Sequence, residues 1–122
     1  MEKRDLTGAV DFKHLERYAA NDQSLVNEVL TIFCDQAAIW VKRMDAAAPL
    51  ETWRELAHSL KGSALGIGAF ALADECEAAE RSGATDIAER EELLAFIRTA
   101  LSAALADIAV YLDERRPRTS QA

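Results

Sequence analysis

The sequence predicts an all-α fold: an antiparallel four-helix bundle with a short additional N-terminal helix. Three observations carry that expectation. Half of the 122 residues are hydrophobic, yet only five Gly and two Pro are present, leaving few turn-makers for a fold of many short strands. Apolar residues recur at three- and four-residue intervals along several long segments. The connections between those segments are short, as neighbouring antiparallel helices require. The length suits one domain with a single core. The expected divisions are a lead-in over 1–9, the bundle over 10–114 and a polar, frayed tail over 115–122.

The first helix is expected from Val10 to Ala20, carrying Phe12, Leu15 and Tyr18. Asn21-Asp22 then breaks the chain and caps the second helix, because short polar side chains satisfy the free amides of a helix start. Val26, Val29, Leu30, Phe33, Ala37, Trp40, Val41 and Met44 form one stripe along that second helix. Pro49 opens the third, since its missing amide costs nothing in a first turn. Trp53, Leu56, Ala57, Leu60 and Ala64 are its inward face, and Gly66-Ile67-Gly68 interrupts it. The fourth runs from about Ala69 to Arg81, burying Leu72, Cys76 and Ala79, with Gly83 placed to end it. Asp86-Ile87-Ala88-Glu89 has the pattern of a capping box for the last helix, lined by Leu94, Ile97, Leu101, Leu105, Ile108 and Leu112.

Charge and cysteine content exclude several classes of function. Fourteen basic residues stand against 21 acidic ones, a formal charge of −7, so no broad basic patch exists to engage a nucleic-acid backbone. Cys34 and Cys76 show no Cys-x-x-Cys spacing and too few companions for a zinc site or a disulfide framework; both are expected to be reduced core thiols. No apolar run is expected to approach a membrane span, and the charged start Met1-Glu2-Lys3-Arg4-Asp5 lacks a following signal-peptide core. The expectation is a cytoplasmic protein with no membrane and no nucleic-acid partner.

The chemistry concentrates in Ala57-His58-Ser59-Leu60-Lys61-Gly62. With Trp53 at zero and about 100° per residue, Leu56, Ala57, Leu60 and Ala64 fall within about 60° of it and face the core. His58 then falls at about 140°, Gly62 at about 180°, Leu65 at about 120°, Arg54 at about 100° and Lys61 at about 80°. The histidine therefore points to solvent, with a lysine and a bare backbone one turn on. A glycine inside a helix costs about 1 kcal/mol relative to alanine, and close approach of another protein would explain it. Lys61 can offset the charge of a phosphoryl group on the same surface. Imidazole is itself a competent nucleophile and needs no activating triad. Any one of these residues alone would be ordinary surface, as His14 is taken to be; together they point to phosphoryl chemistry.

This segment, with Gly68 ten residues after the histidine, resembles the signature of histidine-containing phosphotransfer (HPt) domains. Phe33, Leu72, Cys76 and the Ala79-Glu80 pair extend the resemblance, which covers roughly residues 5 to 112. It implies that His58 is the phospho-acceptor, that Lys61 binds or orients the phosphoryl group, and that Gly62 leaves room for the docking partner. Glu80 falls where many members carry a glutamine holding the histidine ring; a carboxylate there can only accept a hydrogen bond. Arg54, Leu65 and Ala69 would frame the docking surface. The implied partners are response-regulator receiver domains and a hybrid histidine kinase, with a phospho-aspartate as donor. The expected module is a monomeric carrier with no cofactor and no metal of its own, the magnesium ion coming with the receiver.

Three other readings compete. In one, the same face docks a partner and His58 is never phosphorylated. A histidine-kinase dimerisation domain fits less well, because Ser59 follows His58 where that family has an acidic residue, and no ATP-binding half is present. A metal-binding bundle lacks the Glu-x-x-His pairs such cores use.

Overall fold

In the computed structural model, residues 9–82 and 86–115 are described, and every regular element among them is an α-helix. Helix α1 spans Phe12–Tyr18, α2 Gln23–Arg43, α3 Leu50–Ile67, α4 Phe70–Arg81 and α5 Ile87–Glu114. The starts follow local chemistry. The Asp11, Asp22 and Asp86 carboxylates each accept a backbone N–H of the first turn they precede, at 3.2, 3.2 and 3.0 Å from His14, Leu25 and Ala88. Pro49 precedes α3 with φ −54° and offers no side-chain cap.

Several boundaries differ from the sequence expectation. Helix α1 is shorter at both ends: Asp11 is its cap, and Ala20 and Asn21 leave the helical region with φ of 51° and 62°. Tyr18, the last residue of α1, is exposed. Helix α3 continues through Gly66 and stops at Ile67, so Gly68 alone ends it. Cys34 is half-buried, whereas Cys76 is fully enclosed. Gly83, residues 1–8 and residues 116–122 lie outside the described residues.

Helices α2 to α5 touch in a ring, each against two others in the order α2, α3, α4, α5, while α1 packs on α2 and α3. Contacts between helix ends give their directions. In the first turn of α3, the Trp53 indole N–H donates to the Ala79 carbonyl near the end of α4, at 2.9 Å. At the end of α5, Tyr111 accepts from the Gln23 amide at the start of α2 at 3.1 Å and donates to Glu16 of α1 at 2.7 Å. Both pairs run in opposite directions. One core links all five helices, with Trp53, Leu30, Leu60, Leu72, Ile97 and Ile108 among its fully enclosed side chains. Arg90, in the first turn of α5, is 5 % exposed; it donates to the Ala46 and Ala48 carbonyls at 3.1 and 2.6 Å and lies over the Trp53 ring. It thereby fixes the α2–α3 connection.

By length and composition α2 and α5 are apolar enough to cross a bilayer, which corrects the expectation that no run approaches that length. In this fold each places a buried stripe in the shared core, as an amphipathic helix of a packed bundle does.

Candidate functional site

The direction of His58 is set by its neighbours along α3. Trp53, Ala57, Leu60 and Ala64 are all fully enclosed, and a helix that turns them inward turns position 58 outward. The imidazole is 67 % exposed. A cleft of about 490 Å³ opens elsewhere, between α1 and the end of α5, lined by Phe12, Glu16, Asp107 and Tyr111.

What the ring meets depends on the turn between α3 and α4. That turn is a Schellman motif: Ala69 N–H bonds to the Ala64 carbonyl at 2.8 Å and Gly68 N–H to that of Leu65 at 3.2 Å. Gly68 has φ 85°, a left-handed conformation that disfavours a side chain. A Cβ there would also lie 2.5 Å from the Asp11 carbonyl oxygen. The chain reverses at once, so the last turn of α4 lies alongside His58 and brings up Glu80.

Glu80 joins the site. Its Oε2 is 2.9 Å from His58 Nδ1, and its Oε1 is 2.7 Å from Lys61 Nζ. Oε1 is closed off from solvent and has no directed hydrogen bond, so the Lys61 ammonium compensates it as an ion pair. Lys61 foremost, and then the His58 ring, hold the Glu80 carboxyl below its ordinary range against the opposing effect of burial. An ionised carboxylate only accepts, so Nδ1 is the donor and the lone pair of the neutral ring resides on Nε2. The arrangement orients a nucleophilic nitrogen. Beneath it, burial first and Glu75 second push the Cys76 thiol up to about 12, with Lys61 acting against them. The thiol is inert core.

Gly62 is exposed, and a Cβ there would meet nothing within 4 Å beyond its own helix. Packing inside the protein therefore gives no reason for glycine at this position. Gly66 is the same, exposed and open. The Gly66-Ile67-Gly68 pattern marks Gly66 only as a helix breaker, although the spacing of 58, 62 and 66 places it on the histidine's strip. Arg54 and Leu65 are exposed on α3, Leu65 at 42 %. Ala69 is not: it is fully buried under the turn it helps to form, which removes it from any docking surface. Arg90 was also missed, because a charge on a core stripe reads as an exception until its carbonyl partners are known. Among the described residues, no three His, Cys, Asp or Glu side chains converge as metal ligands.

Comparison with known proteins gives a consistent picture. A family model described as the Hpt domain matches residues 28–109. The crystal structure of histidine phosphotransferase ShpA from Caulobacter crescentus is 45% identical, with a TM-score of 0.73 over 88% of this chain and 94% of that one. No curated protein matches the sequence.

Proposed function

The chain belongs to the Hpt domain family, whose members carry phosphoryl groups in phosphorelays, and we propose that this one does so on His58. The observation that carries the reading is an exposed imidazole whose Nδ1 is occupied by Glu80, leaving Nε2 as the free nucleophile. In the proposed step a receiver-domain phospho-aspartate docks on α3 and Nε2 attacks its phosphorus in line. The receiver supplies the magnesium ion and most of the charge stabilisation that phosphoryl transfer needs.

Lys61 sits one turn from the ring and contributes positive charge near the transferred group. Gly62 lets the partner's surface approach the helix, and the open face at Gly66 continues that strip. Arg54 and Leu65 stand at the rim. The module then donates the group to a second receiver, the first being supplied by a hybrid histidine kinase. It works as a monomeric cytoplasmic carrier, with the bundle over 10–114 as the functional unit.

Incubating the chain with a phosphorylated receiver domain tests the reading. Acid-labile phosphate is expected on the wild type and not on the His58→Gln variant, with helicity unchanged. A folded wild-type chain that no phosphorylated receiver can label would leave the face as a plain docking surface.

A further inference from the structure

Helix α5 is more apolar than its burial requires. Only 28% of its most apolar stretch is buried inside the fold, whereas a helix apolar on every side is ordinarily enclosed by protein. Ile97, Leu101, Ala104 and Ile108 face the core. The opposite face presents Phe96, Thr99, Ala103, Ala106 and Val110, all exposed, Phe96 at 50% and Val110 at 60%. These positions alternate three- and four-residue steps, the repeat by which one helix packs along another. Thr99 fits the strip, because its hydroxyl donates to the Ala95 carbonyl at 3.0 Å and is satisfied within the helix.

Charge enters the same repeat only at its ends. One step before Phe96 stands Glu92, with Glu89 before it; one step after Val110 stands Asp113, with Glu114 beside it. All four are exposed. Within the span of the strip, Arg98 borders α2 beside Lys42, and Asp107 is half-buried and accepts the Ala9 N–H at 2.8 Å. Arg115 lies over the Tyr111 ring and reaches Glu114 at 3.6 Å.

We infer that this face of α5 is a docking site for a separate partner helix, one with a bulky apolar strip on the same repeat and Lys or Arg in register at both ends. Ala103 and Ala106 leave room at the centre for leucine-sized side chains, while Phe96 and Val110 close the ends. The acidic residues beyond them select basic flanks by charge. They also oppose a second copy of this chain. Antiparallel pairing centred on Ala103 sets Glu92 against Asp113 and Glu114, and parallel pairing sets each carboxylate against its own kind. The same ends repel an anionic bilayer.

The place of α5 in the bundle gives the site its use. Helices α3 and α5 lie diagonally across the ring and make no contact among the described residues. A helix on α5 therefore leaves the His58 surface open, and the partner is held while phosphoryl exchange proceeds elsewhere.

The test uses a fluorescent designed peptide of about five helical turns, with leucine on the three-four repeat and lysine at both ends. A twin peptide carries glutamate at the ends. Both are titrated against the full chain by anisotropy. The lysine-ended peptide is expected to bind, and its twin about tenfold more weakly or worse. Ala106→Glu, at an exposed helical position, should weaken binding by about tenfold with the circular dichroism spectrum unchanged. In Glu92→Lys/Asp113→Lys, which leaves the strip itself intact, the preference should invert in favour of the glutamate-ended peptide. Chemical labelling of His58 with phosphoramidate should proceed equally with the peptide bound. Failure to bind, equal binding of both peptides or indifference to Ala106→Glu overturns the proposal. So does a block of His58 labelling, which would place the peptide on α3. Dimerisation of the chain, or adsorption to phosphatidylcholine vesicles, that Ala106→Glu abolishes would assign the face to a second copy or to lipid instead.

Discussion

The amide of Asp11 donates to the Gly68 carbonyl at 2.9 Å, while the Asp11 carbonyl sits where a side chain at position 68 would have to be. One residue pair thus seats α1 on the α3–α4 turn, and that turn is what delivers Glu80 to His58.

Gly68→Ala should accordingly destabilise the protein. The substitution meets both an unfavourable left-handed φ of 85° and a backbone oxygen 2.5 Å away. The expected loss is about 2–4 kcal/mol, from strain at a special backbone conformation plus overpacking. Urea unfolding followed by circular dichroism measures it; an unchanged midpoint would show that α1 shifts freely.

Gly62 should behave in the opposite way. Its open surroundings predict that Gly62→Ala stabilises the helix by about 0.5–1 kcal/mol. Gly62→Leu should also fold, yet slow phosphoryl transfer from a receiver, because the added side chain stands between partner and helix. Thermal melts and transfer rates, taken together, separate the two effects. A leucine variant that transfers at the original rate would remove the clearance argument.

Arg90 offers a test of the scaffold. Its buried guanidinium holds the Ala46 and Ala48 carbonyls and lies over Trp53, 5.4 Å from the ring. Arg90→Ala should cost about 1.5–3 kcal/mol or more, since hydrogen bonds from a charged donor are lost together with packing. Unfolding curves give the loss. Chemical labelling of His58 in the still-folded variant should stay near wild type, as Arg90 makes its contacts at the α2–α3 connection and not at the imidazole.

How far the site was legible follows from what each residue depends on. His58 and Gly62 could be placed outward because helix rotation fixes the face of each position relative to Trp53, Ala57, Leu60 and Ala64. Ala69 was misplaced because it lies past the last turn of α3, where that rotation no longer applies and the Schellman turn tucks it under. Cys34 sits at the margin of its helix's stripe, where the position of the neighbouring helix decides how much is covered.

The sequence by itself determined the helices, their inward faces and the solvent side of His58, because these follow from local periodicity and capping. Only the tertiary structure decided that Glu80 bridges the imidazole and Lys61, that Gly68 must be bare to admit Asp11, and that Arg90 holds the α2–α3 connection. Those relations depend on distances between segments far apart along the chain, and spacing within one helix carries no information about which neighbour arrives, or at what height.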